Sequence, residues 1–186
     1  KMPCGEQSDI EYANMLIRHL EIKSYTMNIR EAVTGINNQF PDDIKISDQT
    51  TINLPARIRM ATLYAISQSL NGRVVNTCNM SESYVGFDTR YGDSVRDLSP
   101  LANLTKTEVI ALAKELGLPD ELVHKTPQDG LTGLTDEQSF GFSYAELDAY
   151  IRDGIEPSED VKAKIDSMHE KNLFKLHLMP SFHPNF

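Results

Sequence analysis

Thr77, Glu82 and Lys106 are residue types suited to holding a phosphorylated ligand, and each sits at a junction where such ligands bind. Thr77 and Glu82 follow the β-branched pair Val74-Val75, which comes straight after an Asn71-Gly72 turn signal and reads as a short buried strand. Ligands settle at the carboxyl ends of strands in open parallel sheets, so the hydroxyl and the carboxylate share one crevice there. A carboxylate so placed can hold Mg²⁺ together with phosphate oxygens. The competing reading is a helix-opening glutamate facing the helix dipole. Lys106 follows Thr105, a helix-capping type, where unpaired backbone N–H groups attract phosphate and an ammonium adds a point charge. Its competing reading is an ordinary surface lysine. Arg90 and Asp97 flank the charged loop around Tyr91-Gly92-Asp93, either as functional groups at a sheet edge or as an exposed ion pair of little weight. His19, His124, His169, His177 and His183 show no ligand spacing, and nothing supports Ser-His-Asp catalysis.

These side chains need a scaffold, and the patterning supplies one. Lys1-Met2-Pro3 reads as the end of a strand, and Ser24 to Ile29 as a second, with Tyr25, Met27 and Ile29 on one face. Ser8-x-x-Glu11, Thr105-x-x-Glu108 and Ser143-x-x-Glu146 are capping boxes, each opening a helix with apolar residues at helical spacing. Ala32, Val33, Ile36 and Phe40 suggest another helix, and Ser158 opens a last one carrying Val161, Ile165 and Met168. The span 41–51 is polar and acidic and predicts a loop, as does 126–136. Leu54 to Leu70 predicts a long helix with Pro55 in its first turn and apolar residues nearly all round, hence burial on several sides. Of Arg57 and Arg59 on such a helix, one is expected to meet an anion or another subunit. Helices alternating with short β-branched runs predict an α/β layer fold with a parallel sheet.

A chain of 186 residues with 40% hydrophobic and 24% charged residues has globular proportions and buries one core. Its net charge of −9 argues against general nucleic-acid binding and anionic membranes, although basic residues gathered in one pocket still suit a small anion. No apolar run approaches the ~20 residues of a membrane span, and the residues from Lys1 onward do not read as a signal peptide. Cys4 and Cys78 lie far apart and read as reduced thiols of a cytoplasmic protein.

The segment Thr77, Glu82, Gly86, Thr89-Arg90-Tyr91-Gly92-Asp93, Asp97 and Pro100-Leu101 resembles the ammonia-dependent NAD synthetases of the ATP pyrophosphatase group, and the resemblance runs through almost the whole chain. It implies a Rossmann-like parallel sheet flanked by helices, a homodimer, and ATP-dependent amidation of deamido-NAD through an adenylated intermediate. It implies further that Thr77, Lys106, Gln128, Gln7 and Lys1 contact ATP, and that Glu82 binds Mg²⁺. Arg57, Arg90, Asp97, Phe174 and Lys175 fall on deamido-NAD positions. Ammonia attacks an already activated acyl group in such a reaction, so no protein nucleophile is implied.

Several positions depart from the family pattern. Asn76 stands for a glycine, Arg90 for a lysine, Ser94-Val95 for Gly-Gly, Gln128 for a Ser or Thr, and Phe174 for a histidine. The Ser-Gly-Gly-x-Asp-Ser phosphate loop would lie before Lys1, so the chain is expected to be a single domain without its N-terminal strand-loop-helix unit and incomplete for activity. Gly130 to Gly133 is a glycine-bearing loop but lacks the strand-to-helix context of a substitute. Two alternatives accompany this expectation: a related synthetase with another acceptor acid, and a catalytically silent dimer-forming homologue.

Overall fold

A computed structural model of the chain describes residues 1–7, 9–128, 133–177 and 179–184. Among these residues lie nine helices: α1 (Ile10–Leu20), α2 (Arg30–Asn37), α3 (Asp48–Ser69), α4 (Met80–Val85), α5 (Lys106–Glu115), α6 (Asp120–Val123), α7 (Asp136–Phe140), α8 (Tyr144–Asp153) and α9 (Glu159–Leu176). The Thr105 and Ser143 capping boxes form as expected. Of the Ser8 box, Ser8 lies outside the described residues, and Glu11 accepts hydrogen bonds from Asn14 Nδ2 and Arg18 Nη2. Two further boxes, Asn79 with Glu82 and Thr135 with Gln138, open α4 and α7.

The long helix differs from expectation at its start and in its burial. It begins at Asp48, because the Ser47 hydroxyl accepts from Thr50 N and caps a turn that reads as loop by composition. Pro55 therefore sits inside α3, and it is the only buried residue on the helix. Leu63 and Leu70 are 41% and 61% exposed, so the apolar circumference is not covered within this chain.

Extended pairing is shorter than the sequence predicts, and no continuous strand forms among the described residues. Lys1 N donates to Tyr25 O, Met27 N to Lys1 O and Ile29 N to Pro3 O, a parallel pattern that lacks the rung at Pro3, where proline has no N–H to offer. Val75 makes a parallel bridge to Leu98, with Asn76 N donating to Leu98 O and Asp97 N to Val74 O. On one side this ladder is ended by side chains: Val74 N donates to Asp97 Oδ2, and Cys78 N to Asn76 Oδ1. Val74 is buried, whereas Val75 is half exposed.

The main buried cluster joins α4 to the C-terminal helices. Val85, Phe140, Phe142, Tyr144, Leu147 and Ile165 are buried together, joining α4, α7, α8 and α9. Phe140 packs edge-on to Phe87 and to Tyr144, arrangements that suit aromatic quadrupoles. The α4 helix, which carries Glu82, is thereby fixed to this core through Val85.

Candidate functional site

A cavity of about 890 Å³ opens between α3, the Val74–Cys78 segment, α4 and the N-terminus of α5. Glu82, Lys106, Thr77 and Gln128 line it, together with Lys175. On its wall Lys106 Nζ lies 3.1 Å from Glu82 Oε1, each side chain less than one-fifth exposed. Glu82 serves two ends. Its Oε2 accepts from Asn79 N to close the α4 capping box, as the helix-opening reading anticipates, while Oε1 faces the lysine. The Lys106 ammonium also stands 5.1 Å from the centre of the Tyr144 ring.

One part of the expected phosphate chemistry is corrected. The free N–H groups at the start of α5 are already used: Lys106 N donates to Ser81 Oγ, Thr107 N to Asp148 Oδ2 and Glu108 N to Thr105 Oγ1. Here the helix terminus presents the lysine side chain to the cavity but not its backbone donors.

The remaining assignments divide by place. Lys1 and Gln7 line a second cavity of about 280 Å³, which meets the first at Met2 and Arg59. Lys1 Nζ donates to Asn14 Oδ1, and Gln7 Nε2 to Asp9 Oδ1. Arg59 lines both cavities and is held by a hydrogen bond from its Nε to Met2 O, so it, and not Arg57, is the α3 arginine that faces the interior space. Arg57 Nε donates to Arg90 O at 3.3 Å, and the Arg90 guanidinium stands 5.0 Å from the Tyr91 ring and 5.1 Å from the Phe174 ring. Three acceptor-binding assignments thus form one cluster, and two departures, Arg90 and Phe174, touch each other. A planar guanidinium stacks on an aromatic face as an ammonium cannot. Asp97 stands apart: its Oδ2 accepts from Val74 N at 2.7 Å and anchors the parallel bridge.

Lys175 donates to Gly86 O and Asp88 O and lies 3.4 Å from Asp88 Oδ1. It tethers the turn after α4, where Gly86 has φ +68° and a Cβ would fall 2.2 Å from the Asn172 side chain. The loop departures also acquire a physical reason. Buried Asn76 donates from Nδ2 to Asp93 O and accepts from Cys78 N and Ser99 Oγ. The Ser94 hydroxyl donates to Thr89 O, closing the turn around Gly92. Burial pushes the Cys78 thiol up to about 11.

Asp136 and Tyr144 were not singled out by the sequence, yet Asp136 lines the main cavity and its Oδ2 accepts from the buried Tyr144 hydroxyl at 2.8 Å. Burial, then the nearby carboxylates of Glu82 and Asp136, pushes the Tyr144 hydroxyl far up, so it acts as a donor. The Thr135-x-x-Gln138 pattern was the available signal, since it turns Asp136 from a loop residue into the first residue of a capped helix.

Among the described residues no group of three or more His, Cys, Asp or Glu side chains forms a metal cage. A single hard oxygen donor such as Glu82 fits Mg²⁺ only where phosphates and water complete the octahedron. The cavity's cations are Arg59, Lys106 and Lys175, set among the carboxylates of Glu82, Asp88, Asp93 and Asp136, a mixed lining suited to a metal–phosphate complex.

The NAD synthase family model matches residues 2–180, and the chain belongs to that family. It is 37% identical over 180 residues to the NH(3)-dependent NAD(+) synthetase of Carboxydothermus hydrogenoformans, covering 94% of this chain and 73% of that protein. Among solved structures, the NMN synthetase of Francisella tularensis superposes with a TM-score of 0.90 at 34% identity, over 100% of this chain and 77% of that one. The NH3-dependent NAD synthetase of Campylobacter jejuni superposes at 0.74 and 26% identity, over 98% of this chain and 76% of its own.

Proposed function

We propose that the chain serves an ATP-dependent amidation of deamido-NAD with ammonia, releasing AMP and pyrophosphate. The observation that carries this reading is the Lys106–Glu82 pair facing the main cavity in a member of the NAD synthase family. Adenylating a carboxylate accumulates negative charge on the departing pyrophosphate, and fixed cations stabilise it most where water is scarce. Lys106 supplies such a cation, with Thr77 and Gln128 on the same walls and Lys1 and Gln7 in the adjoining cavity for the rest of the nucleotide. Glu82 would hold Mg²⁺, which would neutralise phosphate charge when bound. Arg90, stacked with Phe174 and braced by Arg57, is the cation for the acceptor's phosphate, and Lys175 holds the turn between the two regions. The two parallel pairings belong, in this reading, to one open Rossmann-like sheet.

A second acceptor has a specific observation in its favour. The superposition on an NMN synthetase, 0.90 over the whole chain against 0.74 for the NAD synthetase, points to nicotinate mononucleotide as the acid amidated. Both readings share the ATP chemistry and differ only in the acceptor. The test supplies ammonia, ATP and Mg²⁺ with each acid to the chain together with any residues that precede Lys1 in its gene. A higher kcat/KM with deamido-NAD is expected. A higher value with the mononucleotide establishes the second reading, and no amide from either acid rejects both.

A further inference from the structure

We infer that Asp148 is a positioning residue for the Lys106–Glu82 pair, acting from α8 through the hydroxyl of Ser81; the inference rests on the reading that Lys106 grips ATP. Asp148 is 4% exposed and lies behind the lining of the main cavity, not in it. Its two oxygens go to different elements. Oδ1 accepts from Ser81 Oγ on α4 at 2.5 Å, and Oδ2 accepts from Thr107 N on α5 at 2.8 Å. Ser81, fully buried, has one hydroxyl proton, and it is committed to Asp148. Its lone pair is therefore turned to accept from Lys106 N at 2.9 Å. The carboxylate fixes the direction of the hydroxyl, and the hydroxyl fixes the backbone of the lysine.

The consequence follows from adjacency. Ser81 is next to Glu82, and Lys106 is the residue whose N–H is held, so one buried carboxylate sets the spacing of the two residues that face the ligand. A buried carboxylate is also well placed against the positive end of α5. Such a group is costly to bury unless all its bonds are made, and here each oxygen has a donor. Misplacing a phosphate-binding cation by about 1 Å is enough to cost orders of magnitude in rate.

The test is a double-mutant cycle on KM for ATP, with the chain and any residues preceding Lys1. Asp148→Asn is expected to raise KM for ATP about tenfold or more, a size typical of outer-layer positioning groups, while KM for the acceptor stays within about twofold. On a Lys106→Ala background the same substitution is expected to change KM for ATP by less than threefold, because the group it positions is gone. Ser81→Ala, a smaller change, is expected to behave alike if Asp148→Asn lowers the yield of folded protein. A threefold or larger effect of Asp148→Asn persisting without Lys106, or a smaller one with Lys106 present, overturns the inference. Should Lys106→Ala leave ATP binding unchanged in the parent, the functional reading fails separately. The crystal structure of Asp148→Asn then decides positioning directly: a Lys106–Glu82 separation beyond 4 Å supports it, and an unchanged one rejects it.

Discussion

Glu82 shows how one side chain can satisfy a structural rule and a chemical one together. Its Oε2 completes a capping box while Oε1 pairs with Lys106. Glutamine also suits that capping position, so Glu82→Gln is expected to alter stability by no more than about 1 kcal/mol. As a neutral amide it is a poorer ligand for a hard cation, and the Mg²⁺ concentration needed for half-maximal pyrophosphate release should rise. Unchanged Mg²⁺ dependence returns Glu82 to a purely capping role. Cys78 offers a second residue-scale prediction. With its thiol pushed up to about 11 by burial, it holds little thiolate at neutral pH. Alkylation of Cys78, followed by mass spectrometry, should be slow at pH 7 and accelerate up to about pH 11; rapid labelling at pH 7 contradicts the burial.

At the scale of elements, α5 is the clearest case of a helix held by its first turn. Arg152, then Thr105 N, hydrogen-bonds the Glu108 carboxylate and lowers its pKa from the ordinary 4.5. A depressed folded value means that the contribution to stability is present above 4.5 and is lost as pH falls through the folded value. Glu146, at the same position of α8, is lowered by Ser143 N and titrates in the same sense. Thermal midpoints measured downward from pH 7 should fall below about pH 4.5, and less steeply in Glu108→Gln than in the parent. Equal slopes mean that the pair stabilises the unfolded chain as much as the folded one.

The whole molecule exposes more surface than its mass accounts for. Its accessible area is 12496 Å², where a folded monomer of 20.9 kDa has about 9000 Å². Exposed apolar residues include Ile52 and Leu63 on α3, Leu70 at its C-cap, and the half-exposed Val75 and Leu98 of the bridge. No helix among the described residues is long and apolar enough to cross a membrane. A symmetric dimer using Arg57 and α3 would cover part of this area. Sedimentation at micromolar concentration should give a dimer, weakened roughly tenfold or more by Arg57→Glu if that charge faces a partner. A stable monomer removes the dimer from the functional reading.

The sequence by itself determined what is local. A cap depends on residues three positions apart, so Thr105, Ser143 and the helices behind them were legible, as was the last helix from Ser158. The family resemblance marked Glu82 and Lys106, and the fold brings both to the main cavity. Composition misled where a local cap was overlooked, at Ser47 before α3 and Thr135 before α7. Only the tertiary structure decided what depends on distant partners. Asp97 Oδ2 accepts from Val74 N, 23 residues away, because Val74 has no backbone acceptor there. The N–H groups of α5 were withdrawn from phosphate by Ser81 and by Asp148, 41 residues beyond Thr107. Arg90 and Phe174 became one stack across 84 positions of chain. Which hydrogen-bond partner a polar group takes is settled by packing, and packing is a property of the folded chain that spacing along it does not encode.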